Sequence, residues 1–258
     1  MGLLDGKTIL VTGVANRWSI ATGIARQLHA HGARLILTYQ GERVEKAVRA
    51  HADEFGGAAV FACDVTSDDS LRALAAGVGK IDGLVHSIAF VKKEDLSGKV
   101  YTTSRDGFAM AMDISAYSLI ALTGHLVDNL NDGASVMALT YLGGTQIVPN
   151  YNIAGIAKAA LEAVVRYLAF DLGDRGIRVN AISAGPISTA SSRQVAGFSA
   201  MPGKVAAMSP LRRNVTPDDV GNVAVYLASE LSSQVTADVH FCDAGYHAMG
   251  MHPEVAKS

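Results

Sequence analysis

The chain has 258 residues, 49% of them hydrophobic and 18% charged, with a formal net charge of −2. That suffices for one large core in a single α/β domain, and the lack of a basic excess argues against nucleic acid or an anionic membrane as a partner. Residues Met1 to Lys7 lack a basic start followed by an apolar run, Gly2 is not followed by a Ser or Thr at position 6, and no run of about 18 apolar residues is apparent, so neither leader, lipid anchor nor membrane span is expected. Cys63 and Cys242 sit in apolar strand-like runs and read as buried free thiols, which suits a reducing cytoplasm.

Short β-rich apolar runs alternate with longer amphipathic ones. Strands are predicted at Thr8–Thr12, Arg34–Thr38, Ala58–Ala62, Gly83–Ser87, Ser135–Leu139, Arg178–Ile182 and Val239–Cys242. Helices are predicted at Ile20–His31, Glu42–Glu54, Asp68–Gly77, Arg105–Leu130, Tyr151–Leu172 and Pro217–Ala228. Strands apolar on both faces and separated by helices predict a doubly wound, Rossmann-type parallel sheet of seven strands with helices on both faces, one domain over residues 1–258. The stretch Gly185–Arg213 breaks the alternation: it is rich in small residues, with a short helix predicted near Val205–Met208. It reads as a mobile substrate cover, or else a plain surface excursion. Met249–Ser258 reads as a loosely held tail.

The first strand runs into Gly13, then to Ser19, Ile20 and Gly23. Gly13 permits a tight turn, Gly23 is expected to let the first helix approach the sheet, and the backbone N–H groups at Ile20 face a pyrophosphate. The Ser19 hydroxyl adds a possible phosphate donor. At the end of the second strand Gln40 is neutral, Glu42 repels a 2′-phosphate and Arg43 pulls the other way, which favours NADH over NADPH. Asp64 is placed to accept from the adenine amino group with Val65 beside the ring, or else to cap the helix before Ser67. Ser87 and Ile88 end the fourth strand where the cofactor ribose passes.

Tyr151 and Lys158 stand seven apart in a helical stretch, almost two turns, so both side chains leave on one face. A phenol beside an ammonium suits a site where negative charge develops on a substrate oxygen. Taken alone, the pair reads rather as a half-buried Tyr and an ordinary surface Lys; the nucleotide-binding signature at the start of the chain shifts it toward function.

With the nucleotide loop, the pair resembles the short-chain dehydrogenase/reductase superfamily. Most members place three residues between Tyr and Lys, where this chain has Ala154. The wider gap is similar to a divergent branch, the bacterial enoyl-[acyl-carrier-protein] reductases of type II fatty acid synthesis. Gly13-x5-Ser19-x3-Gly23, Leu139-Thr140-Tyr141, Ile182–Thr189, Pro210–Thr216 and Asp243–His247 match that branch. The resemblance implies a cytoplasmic homotetramer that reduces a trans-2-enoyl thioester on acyl carrier protein with NADH. It implies Tyr151 and Lys158 as catalytic, Lys158 also on the nicotinamide ribose, and Tyr141 as a second tyrosine near the thioester. Tyr141 reads alternatively as a strand-end aromatic packed under the loop Leu142–Pro149. Ile187 and Thr189 are implied as contacts to the carboxamide and pyrophosphate, and Ile187, Ser191 and Val195 as substrate contacts.

Three features depart from the branch. Val91 narrows the substrate mouth, and Lys92 and Lys93 follow it where small residues and a proline are common. Where that branch has a lid helix studded with Lys and Arg, Ala196, Ser199 and Ala200 occupy much of the segment and leave Arg193 and Lys204, so Lys92 and Lys93 are candidates for carrier docking. Eight scattered histidines form no His-x-x-x-His pair or Cys cluster, so no metal is expected. A carbonyl reductase of the same superfamily is the first rival, although it calls for Tyr at position 154. A non-catalytic nucleotide-binding regulator is the second.

Overall fold

The computed structural model describes residues 2–96, 98–189, 192–195 and 197–251. Its strands are β1 (Thr8–Val11), β2 (Arg34–Tyr39), β3 (Ala59–Ala62), β4 (Ile81–His86), β5 (Leu130–Thr140), β6 (Arg178–Ala184) and β7 (Val239–Cys242). They form one seven-stranded sheet in the order β3-β2-β1-β4-β5-β6-β7, and every neighbouring pair is parallel. Leu10 of β1 pairs with Ile36 on one side and Leu84 on the other. The chain order reverses between β1 and β4, and there the loops leaving the two strands part, opening a crevice at their carboxyl ends.

Helices α1 (Ile20–Ala30), α2 (Glu42–Glu54) and α8 (Pro217–Ala228) cover one face, with Ile24, Leu28, Val48 and Val220 packed on Ile9, Val11 and Leu37. Helices α3 (Asp68–Val78), α5 (Ser118–Leu126) and α6 (Asn152–Leu172) cover the other, with Leu71, Leu122 and Leu161 on Leu10, Leu84 and Val136. Strands buried on both faces carry no polar alternation, as expected of a parallel sheet.

Four expectations need correction. The run predicted as one helix to Leu130 is α4 (Arg105–Met112), a π turn (Asp113–Tyr117) and α5, which ends at Leu126. Leu130 instead opens β5, opposite Ile81. The run Arg105–Leu126 is also apolar and long enough to cross a bilayer by composition, and half of its most apolar window is buried in the fold. Tyr151 lies just ahead of α6 as its N-cap, between Asn150 (φ 63°) and Asn152 (φ 35°) in left-handed backbone that asparagine tolerates. Gly23 serves the contact between α1 and α8 rather than the sheet: a Cβ there would stand 2.5 Å from the Pro217 carbonyl carbon.

The stretch after β6 is more ordered than its composition suggests. It holds short 3-10 turns and α7 (Met201–Met208), longer than predicted, with Pro202 in its first turn where a missing N–H costs nothing. Cys63 is buried, Cys242 is half-buried, and both are free thiols.

Candidate active site

The crevice begins at Thr12, whose Oγ1 donates to the Val85 carbonyl (2.9 Å) and accepts from Ser87 N–H (3.1 Å). This contact stitches the ends of β1 and β4. Gly13 follows with φ 82°, and a Cβ there would fall on the Ser87 carbonyl. Only glycine meets both demands. Ser19 caps α1: its Oγ accepts from Thr22 N–H (3.2 Å) and lies 2.7 Å from Thr22 Oγ1. Thr22 gives its own proton to the Asn16 carbonyl (2.7 Å), so the Ser19 proton goes to Thr22. Ile20 opens the helix, and its N-terminal N–H groups face the crevice mouth where an anion is favoured.

Gln40 is exposed at the end of β2 and reaches Asp64 Oδ1 at 3.5 Å. That oxygen also accepts from Thr66 N–H (3.0 Å) and Thr66 Oγ1 (2.8 Å). Asp64 therefore shapes a turn, and Ser67 is the residue that caps α3. Val65 beside it is buried. Ser87 and Ile88 are half-buried beyond β4. Together the Gly13 turn, the α1 N-terminus and the small Ser87 form a cradle that fits a dinucleotide.

Across the crevice, Tyr141 and Tyr151 meet edge to face, with centroids 5.0 Å apart and planes at 70°. Glycines make this possible, because a Cβ on Gly143 would strike the Tyr151 ring. The stretch beyond β6 closes over the pair. Val195 and Phe198 are buried with Leu96 and Ala154, and Val91, Tyr151 and Met201 pack against them. Tyr141 Oη reaches Met201 Sδ at 3.7 Å, so Tyr141 faces the cover instead of lying beneath the loop Leu142–Pro149. Val91, Tyr141, Tyr151 and Val195 thus converge, whereas Ser191 lies outside the described residues. Ile187 is buried in the core beside α8. The Thr189 hydroxyl is engaged with Ser192, whose Oγ donates to the Ile187 carbonyl at 2.8 Å.

Lys158 is buried, and its Nζ donates to the Leu139 carbonyl at 2.6 Å. Burial pulls its pKa down to about 8, opposed by the Glu162 carboxylate. Burial pushes the Tyr141 phenol up to about 12, with Tyr246 and Asp243 adding to the effect. Tyr151 is raised further, by burial first and then by Tyr141 and Glu162. Both phenols therefore stay protonated as donors at neutral pH. Three buried residues went unread in the sequence: Thr12, Glu162 and His86. Glu162 accepts from Thr140 Oγ1 at 2.6 Å, and His86 Nε2 lies 2.7 Å from Ser118 Oγ. Their only sequence signal is polarity within an otherwise apolar helix or strand.

A parallel sheet with this order, a glycine turn at its switch point, and a half-buried Tyr151 in line with the buried Lys158 at the carboxyl edge define a dinucleotide-dependent oxidoreductase of the short-chain dehydrogenase/reductase class. The family described as Enoyl-(Acyl carrier protein) reductase matches residues 13–247. The enoyl-[acyl-carrier-protein] reductase [NADH] FabI of Bacillus cereus is 50% identical over 97% of this chain and all of its own length. A crystal structure of the Bacillus cereus enoyl-acyl carrier protein reductase with NADP+ and indole naphthyridinone superposes with TM-score 0.95 at 49% identity, covering 97% of this chain and 100% of that one. The Aquifex aeolicus enoyl-[acyl-carrier-protein] reductase (NADH) gives TM-score 0.94 at 45% identity, again covering 97% and 100%. The chain belongs to the enoyl-[acyl-carrier-protein] reductase family.

Proposed function

We propose that Tyr151 and Lys158 carry the family's reaction in this chain, reduction of the carbon–carbon double bond of a trans-2-enoyl thioester on acyl carrier protein. Bound NADH supplies the hydride, which goes to the β-carbon. Electron density then moves to the thioester oxygen, giving an enolate, and a proton from solvent is afterwards added at the α-carbon to complete the saturated thioester. Tyr151 donates a hydrogen bond to that oxygen. Its raised pKa keeps the proton on the phenol, and an enolate, less basic than an alkoxide, is served by a hydrogen bond. One aligned donor in a dry site is worth about 3–4 kcal/mol. Lys158 adds positive charge below its pKa of about 8 and orients the cofactor ribose. Tyr141 walls the thioester and is the second donor.

The observation that carries this reading is the convergence of Tyr141, Tyr151, Val91 and Val195 under the segment that follows β6. That segment excludes water, which strengthens each electrostatic contact beneath it. Gly13, Ser19, Ile20, Gln40, Asp64, Val65, Ser87, Ile88, Lys158, Ile187 and Thr189 are the residues we assign to the cofactor. For Ser19 and Thr189, contact with phosphate needs a turned hydroxyl proton. The neutral Gln40 supports NADH over NADPH. Val91, Ser191 and Val195, with the two tyrosines, are assigned to the acyl chain.

We place the protein in the cytoplasm as one reductase domain, without nucleic acid or stable membrane partners, and assembled as a homotetramer. The exposed Tyr167 and Phe170 on α6 and Tyr117 and Ile120 around α5 support burial of those faces against second copies; a solution mass of a single chain would contradict it. The test of function is a side-by-side assay of crotonyl and ketoacyl thioesters with NADH. Turnover of crotonyl thioester alone is expected. Preference for the ketoacyl substrate would favour a carbonyl reductase, and NADH binding without turnover a regulator.

A further inference from the structure

α6 is tied to the end of β5 by two buried polar contacts one helical turn apart. Lys158 Nζ donates to the Leu139 carbonyl, and the Glu162 carboxylate accepts from the hydroxyl of the next residue, Thr140, both at 2.6 Å. Lys158 is 7% exposed and Glu162 5%. The same Glu162 oxygen seats the turn that follows: a Cβ on Gly144 would come within 2.6 Å of Oε1. That turn carries Gly143, which lies against the Tyr151 ring. The residue between the clamp and the turn is Tyr141. One carboxylate thus touches the strand end that leads into Tyr141 and the turn that packs against the Tyr151 ring, and shares a helix face with Lys158.

A carboxylate is a poor choice for holding a helix to a sheet. Burying its charge is costly, and an apolar residue of similar volume often serves stability better. Lys158 and Glu162 make no ion pair within 4.0 Å, so the carboxylate acts on the ammonium through the low-dielectric interior.

We propose that Glu162 is the positioning residue of this site, a fixed counter-charge that keeps Lys158 an ammonium and locks the end of β5 so that Tyr141 and Tyr151 hold their mutual geometry. The inference rests on the reading that Tyr151 and Lys158 carry the reduction. The titratable groups around Lys158 are Glu162 on α6, Tyr151 just ahead of it, His86 at the end of β4 and Tyr141 beyond β5. The tyrosines are neutral. His86 is fully buried, burial and the Lys158 charge lower its pKa to about 3, and its Nδ1 has no partner. Glu162 is therefore the one carboxylate facing the ammonium among the described residues.

The sign follows directly. Burial favours neutral Lys158 and Glu162 favours the charged form, so Glu162→Gln, which keeps an oxygen for Thr140, lowers the Lys158 midpoint. The experiment is carbon-13 NMR titration of lysine side chains in the cofactor-free protein, with the Lys158 signal assigned from Lys158→Met. A midpoint near 8 is expected in the unsubstituted protein, falling by about one unit or more in Glu162→Gln and partly restored in Glu162→Asp. The alkaline limb of kcat/KM on an enoyl thioester should move the same way. An unchanged midpoint overturns the inference whatever the activity. Inertness of the unsubstituted protein toward enoyl thioesters overturns the functional reading instead, and the titration still decides the role of Glu162. If Glu162→Gln does not fold, Thr140→Val serves: it removes the hydrogen bond and keeps the charge. Lower turnover with an unmoved midpoint is then expected, and undiminished turnover overturns the clamp.

Discussion

Tyr151 and Tyr141 share an edge-to-face contact, yet their surroundings divide the work between them. Tyr151 stands at the head of α6, in line with Lys158, and has the more strongly raised pKa. Tyr141 hangs from the end of β5 with its hydroxyl toward Met201 of the cover. Removing the Tyr151 hydroxyl should remove the donor that strengthens as the enolate forms. Tyr151→Phe is therefore expected to lower kcat by about 10²–10³-fold, and Tyr141→Phe by much less, in steady-state assays with an enoyl thioester. Equal losses would show the roles to be misassigned. The Tyr–Lys spacing was legible because seven residues nearly close two helical turns. Glu162, His86 and Thr12 were not, since a polar residue in an apolar run gives no sign in one sequence of whether it faces water or a buried partner. Ser19 was legible as a loop residue only; that its proton is taken by Thr22 depends on the Asn16 carbonyl, which no spacing rule places.

Elements with local stop signals were read end to end. Glu42–Glu54 and Pro217–Ala228 agree with the structure; the second begins with a capping box in which Thr216 Oγ1 accepts from Asp219 N–H and Asp219 accepts from Thr216 N–H. The run from Arg105 failed for the opposite reason. Its apolar pattern continues through the π turn, and the run ends where Asn129 donates to the Ala75 and Gly79 carbonyls and Leu130 pairs with Ile81. Tertiary contact likewise decides Gly23. The sequence offered a nucleotide-loop pattern, while the packing puts Pro217 of α8 against that position. Gly23→Ala gains helix propensity of about 1 kcal/mol but sets a methyl 2.5 Å from the Pro217 carbonyl. Backbone cannot move aside as a side chain does, so a net loss of about 1–3 kcal/mol is expected, read as a lower Tm by calorimetry. An unchanged or higher Tm would mean that α8 yields freely.

At the scale of the molecule, the parallel sheet was legible from strands apolar on both faces, and its switch point follows from the strand order. Both halves of the crevice lie at carboxyl ends of strands: β1 and β4 supply the cradle, and β5 and β6 the tyrosines and the cover. What composition concealed was how the stretch after β6 settles, because its anchors Val195, Phe198 and Met201 are few and find their partners on distant segments. Catalysis by this site depends on Tyr151 meeting the oxygen on which charge accumulates. A crystal structure with NAD and an enoyl thioester bound tests this most directly. The Tyr151 hydroxyl is expected within about 2.6–3.2 Å of the thioester oxygen, with the nicotinamide on the Lys158 side and the cover closed above. A Tyr151 ring turned away from both ligands, with the thioester oxygen held by other groups, would contradict it.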